Sequence, residues 1–106
     1  MQFIVIGRDG TDSEALQRRL AVRDVHIKLG DRYRAENKHL LGVALLDDAG
    51  KMCGSVLLVD FANRQELDAW LAEEPYVVGG VWQQIEVQTC KVGPSFEKLF
   101  TSGLET

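Results

Sequence analysis

One histidine of this chain stands beside arginines at helical spacing. His26 follows Arg19-Leu20-Ala21-Val22-Arg23-Asp24-Val25 and shares a wheel edge with Arg19, Val22, Arg23 and Gly30. A neutral imidazole is a base near neutral pH, and a guanidinium can hold a carboxylate or an enolate. An ordinary, partly exposed helix histidine fits the same spacing. Glu73-Glu74-Pro75-Tyr76 is the second place with chemical potential. Pro75 fixes the backbone just past a helix end, so Glu74 and Tyr76 project from a stiff corner. A carboxylate there can hold a histidine in one tautomer. It can equally be a solvated helix end, although acids at a helix C-terminus oppose the macrodipole. Ser55, in Gly54-Ser55-Val56, is a hydroxyl among apolar neighbours. It needs a partner, which a ligand or a backbone carbonyl can supply.

Other polar residues point away from other chemistries. His39 opens a strand beside Asn37-Lys38 and is expected to face solvent. The two cysteines, Cys53 and Cys90, form no CxxC pair, and no Cys/His cluster has zinc spacing, so no metal is expected. Cys53 reads as a small buried hydrophobe. No GxSxG elbow surrounds Ser55. Gly7-Arg8-Asp9-Gly10 lacks the spacing of a nucleotide-binding loop, so nucleotide binding is not indicated.

The elements that position these residues fit one domain. The chain has 106 residues, 45% hydrophobic and 26% charged, with 12 Lys+Arg against 16 Asp+Glu for a net charge of −4. That is enough for one core and too little for two. The acidic balance argues against nucleic acid and acidic membranes. No apolar run approaches the ~20 residues of a membrane span. Met1 to Arg8 shows neither a basic leader nor a cleavage site, so the expected location is the cytoplasm.

Residues 2–7 read as a strand. Thr11 and Glu14 suggest a capping box for a helix running to about residue 36, with a possible break near Ala21–Arg23. Leu16 and Leu20, then Val25, Leu29 and Tyr33, give its apolar repeat. Residues 39–61 form a hairpin about the turn Asp47-Asp48-Ala49-Gly50-Lys51. Asn63 caps a second helix that ends before Pro75. Gly79-Gly80 is a flexible joint. From Val81 to Gln88 the residues alternate, with Gln83 the exception and Trp82 on the polar face with Gln84, Glu86 and Gln88. Residues 1–92 form the domain and 93–106 a tail with one apolar patch, Phe96, Leu99 and Phe100.

The order β-α-β-β-α-β predicts an α+β ferredoxin-like sandwich with strands 1 and 3 central and helices on one face. Both central strands are apolar on both sides: Phe3 and Val5 against Ile4 and Ile6, Leu57 and Val59 against Val56 and Leu58. The uncovered side needs shelter. Burial gains roughly 25 cal/mol per Å², so the expected partner is a second copy, sheet on sheet. The alternative is the tail folding back over that face.

The segment Arg19 to Ile27 is similar to the R-L-x-x-R-x-x-H-L run of YciI-like (YCII-related) proteins. Glu74-Pro75-Tyr76 with the following Gly79-Gly80-Val81-Trp82 resembles their D-P-Y/F signature and final strand. The resemblance covers roughly residues 1–91. It implies a dimeric α+β barrel with a histidine–carboxylate pair, a general acid–base couple, in a pocket. Carried over, His26 is the histidine and Glu74 stands where the family usually has aspartate. Arg19, Arg23, Ser55 and Tyr76 would line the pocket. Gly42-Val43 replaces the Gly-Pro of many members. The implied activity is proton transfer of the lyase or isomerase type, relatives including a dehydrochlorinase, on an unidentified small molecule and without a cofactor. A non-catalytic ligand-binding or regulatory dimer is the other expectation, motivated by the aromatic tail.

Overall fold

The computed structural model describes residues 1–100. Strand β1 (Gln2–Asp9) leads to helix α1 (Ala15–Ala35), then to the hairpin β2 (His39–Leu46) and β3 (Met52–Asp60). Helices α2 (Arg64–Glu73) and α3 (Pro75–Val78) precede β4 (Trp82–Cys90), and a 3-10 turn spans Pro94–Leu99. The strands form one antiparallel sheet in the order β2-β3-β1-β4. Strands 1 and 3 are therefore central, as their two-sided apolar pattern requires, and the fold is the ferredoxin-like α+β sandwich.

The core lies between the helices and one face of the sheet. Phe3, Val5, Leu57 and Val59 point into it and meet Leu67 and Trp70 of α2, Tyr76 of α3 and, partly buried, Val22, Leu29 and Tyr33 of α1. On the opposite face Ile4, Ile6, Val56 and Leu58 are half-buried, while Leu41 and Val43 are exposed. The turn at residues 93–99 leaves Phe96 and Leu99 58% and 67% exposed, so these two side chains do not fold back to cover an apolar face. The rest of the tail beyond residue 100 lies outside the described residues. Among the described residues no helix is long and apolar enough to cross a membrane.

Local signals hold in the hairpin and α2. Asp47 Oδ1 accepts from Ala49 N and Lys51 N, both at 2.9 Å, and Gly50 takes φ +81°. Asn63 caps α2 by accepting from Glu66 N at 2.9 Å. The start of α1 differs from expectation. Asp12, rather than Thr11, organises it, accepting from Glu14 N at 3.3 Å and pairing with Arg18. Helix α1 then runs unbroken through residues 21–23. Its inward row is Arg19, Val22, His26, Leu29 and Tyr33, whereas Leu20 and Val25 are exposed. The apolar shift in the sequence reflects a polar inward row, not a kink.

The end of β4 also corrects the alternation. Arg8 pairs with Gln84, but Asp9 pairs with Trp82, so Gln83 bulges out of the ladder. The extra residue flips Trp82 from the polar to the helix-covered face, where it is buried. There its indole lies flat over Gly7: a Cβ on Gly7 would sit 2.3 Å from the ring. The Gly79-Gly80 segment is a packed corner rather than a loose joint. A Cβ on Gly79 would sit 2.8 Å from the Pro75 carbonyl oxygen and 3.5 Å from Val22, and Gly80 takes φ +69°.

Candidate functional site

The second helix stops at Glu73 because Pro75 forbids continuation, and Pro75 at once starts α3. Glu74 sits between the two helices with an extended backbone, φ −63° and ψ 121°. Its side chain turns back over α3, where Oε1 accepts from Tyr76 N at 3.2 Å. The same oxygen lies 2.5 Å from His26 Nδ1 on α1. Glu74 is fully buried, and its Oε2 has no partner among the described residues. An ionised carboxylate only accepts, so opposite such a group Nδ1 is the donating nitrogen.

Tyr76 holds the imidazole from one side. The two rings stack at 3.8 Å with 13° between their planes. Trp82 meets His26 edge-on at 6.3 Å and Tyr76 at 5.6 Å. The guanidinium of Arg19 lies 4.6 Å from the centre of the Tyr76 ring. Burial holds the Tyr76 hydroxyl above its usual 10.0, against the pull of Arg19 and Arg23. At neutral pH it is therefore a neutral hydroxyl.

Behind this stack stands a buried strut. Arg19 Nη1 donates to both Asp9 oxygens, at 3.0 and 3.1 Å, and Nη2 donates to Ser55 Oγ at 2.8 Å. The side chains of Arg19 and Asp9 are 3% and 2% exposed. Burial raises the Asp9 carboxyl above its usual value and outweighs the opposing charge of Arg19. The expectation for Ser55 was a ligand or a backbone carbonyl; the hydroxyl is instead taken by Arg19. Arg19 in turn spends its charge inside the protein. Arg23 is exposed on the next turn and makes no ion pair among the described residues.

These groups border a cavity of about 490 Å³ between α1, β2 and β3. Arg19, Arg23, His26, Ser55 and Tyr76 all line it, with Glu74 just behind His26. The opposite wall is apolar, with Leu40, Ala44, Met52 and Leu57. The structure thus brings all six sequence-selected residues to one place. No group of three His, Cys, Asp or Glu able to hold a metal occurs among the described residues.

His39 corrects the sequence reading. It was expected in solvent, yet it is 5% exposed and borders the same cavity. It stacks on Tyr33 at 5.0 Å and meets Trp70 edge-on at 4.6 Å. Burial, with a smaller push from His26, lowers it from 6.5 to about 4. Its polar sequence neighbours suggested a wet strand end, but β2 begins beneath the C-terminal turn of α1. Neither Asp9 nor Trp82 was read as a site residue. Asp9 was read only as part of a failed nucleotide loop; a lone acid ending an apolar strand was the available signal.

The layered sheet and the contact of His26 with Glu74 describe the class: a ferredoxin-like α+β domain with a histidine and a buried carboxylate in contact beside a cavity. The chain belongs to the YCII-related domain family, whose model matches residues 1–91. It is 30% identical to an uncharacterised protein of Haemophilus influenzae over 97 residues, 86% of this chain and 97% of that one. It is 28% identical to Protein YciI of Escherichia coli with the same coverage. Among solved structures it resembles the 5-chloro-2-hydroxyhydroquinone dehydrochlorinase TftG of Burkholderia phenoliruptrix, in complex with 2,5-dihydroxybenzoquinone. There the TM-score is 0.77 at 23% identity, covering 90% of this chain and 98% of that one. Rv0793 of Mycobacterium tuberculosis shares the fold at TM-score 0.52 and 20% identity, covering 89% of this chain and 99% of that one.

Proposed function

We propose that this protein is a cofactor-independent enzyme that moves a proton on a small aromatic or anionic molecule, in the manner of a lyase or isomerase. The observation that carries the reading is the 2.5 Å contact between His26 Nδ1 and buried Glu74 at the wall of a cavity. The carboxylate fixes the tautomer and stabilises the imidazolium that forms, so Nε2 takes the proton and later returns it. Tyr76 keeps the ring in plane and offers a hydroxyl to a developing oxyanion. Arg23 supplies the unpaired positive charge for a carboxylate or enolate. The dehydrochlorinase of like fold, seen with a dihydroxybenzoquinone, supports a flat ring of this kind as the substrate class.

The working unit in this reading is a homodimer. The half-buried Ile4, Ile6, Val56 and Leu58, with exposed Leu41 and Val43, form an apolar sheet face. A second copy packed there buries ~800 Å² on each side in an ordinary interface. Sedimentation should find dimers, and Val56→Glu should release folded monomers. Wild-type monomers at high micromolar concentration overturn the assembly.

The catalytic reading is tested by screening small enol acids, lactones and hydroxyquinols against the wild type and His26→Ala. Turnover that survives His26→Ala refutes it. The exposed Phe96 and Leu99 favour a second reading, a regulatory dimer that contacts another protein. Turnover lost in His26→Ala but kept in Phe96→Ser decides for the enzyme.

A further inference from the structure

The cavity extends well past His26. Its α1 wall runs from Arg19 to Arg34, about 22 Å of helix axis at 1.5 Å per residue. Three features gather at the Arg34 end. Gly30 lies inside the helix, where glycine is unfavourable, and a Cβ there would meet nothing within 4 Å. Its missing side chain leaves open space on the cavity wall. Arg34 is exposed at the rim, and among the described residues it makes no ion pair, not even with the neighbouring Asp31. Like Arg23 it is a spare cation of α1, whereas Arg18 pairs with Asp12, Arg19 with Asp9 and Arg32 with Glu73. His39 borders this end, and its Nε2 is buried without a partner.

We infer that this end of the cavity is a second subsite, which takes an anionic group on the far end of a flat, elongated ligand. Arg34 holds the charge in the space that Gly30 leaves open, and His39 stands at the wall of the same space. Arg23 and Arg34, eleven residues apart on one helix, then clamp a ligand charged at both ends. The inference rests on reading the cavity as a small-molecule site and deepens it: the substrate is a two-ended anion rather than a simple one.

The test compares terephthalate with 4-methylbenzoate, two rings of equal length that differ by one carboxylate. Binding is followed by titration at low salt, with the imidazole signals of His26 and His39 as reporters. Wild type should bind terephthalate at least about tenfold more tightly. Arg34→Gln should erase that advantage and leave 4-methylbenzoate unchanged, and Gly30→Leu should do the same by filling the space. Equal wild-type binding, or an advantage that survives Arg34→Gln, overturns the second subsite while His26-dependent turnover still stands on its own assay. If neither acid binds, the anion-accepting reading of the whole cavity falls.

Discussion

Arg19→Met tests whether the site is built on its buried ion pair. The substitution keeps an unbranched apolar stem but removes both bonds to Asp9 and the one to Ser55. It strands a carboxylate that is 2% exposed. Removing one partner of a buried pair costs about 3–5 kcal/mol, mostly because the other charge stays buried. For a domain with about 5–15 kcal/mol in total, that is a large fraction. At about 4–8 °C per kcal/mol for a small domain, the Tm should fall by about 12 °C or more. Asp9→Leu added to Arg19→Met should recover most of the loss, since the orphan charge is then gone. Urea titrations followed by the emission of the buried Trp70 and Trp82 measure both. The pH dependence has a definite sign. A carboxyl raised in the folded state binds protons more tightly there than in the unfolded chain. Its stabilisation is present in acid and lost as pH rises through the folded value. Arg19→Met should therefore weaken more steeply toward neutral pH, and the double variant should not. A loss under about 1 kcal/mol, or a double variant no better than the single one, refutes the reasoning.

Three further outcomes follow from the geometry. His39 titrates at about 4 when folded against 6.5 ordinarily, so the unfolded state binds more protons between those values and stability falls as pH drops from 6.5 toward 4. At about 1.4 kcal/mol per pH unit the effect approaches about 3 kcal/mol; His39→Phe should flatten that part of the stability profile in chemical unfolding. Gly7→Ala places a Cβ 2.3 Å from the Trp82 ring, an overpacking worth about 1–3 kcal/mol, visible as a lower Tm and shifted indole emission. Glu74→Gln still accepts from Tyr76 N but loses the charge opposite His26, so kcat/KM on a substrate found by the screen should drop by about 10²–10⁴ with little change in Tm.

The sequence spoke clearly where local chemistry decides. Pro75 after Glu74, Asn63 before α2 and the Asp47 to Lys51 turn each act within a few residues, and each appears as read. The two-sided apolar strands agree with the sheet order, since β1 and β3 lie at its centre. What stayed hidden depends on contacts distant in sequence. Arg19 was read as a ligand hook because its partner Asp9 lies on another element. His39 looked wet because the aromatic box of Tyr33, Phe61 and Trp70 assembles only in the fold. Trp82 was placed on the wrong face because one bulged residue, Gln83, inverts the alternation beyond it.

A single oxygen, Glu74 Oε1, answers both to the amide of Tyr76 and to the ring of His26. An aspartate in its place is one methylene shorter and can serve both only if α3 moves nearer to α1. The length of this one acid therefore gauges the spacing of two helices, which meet where Val22 comes up against Gly79.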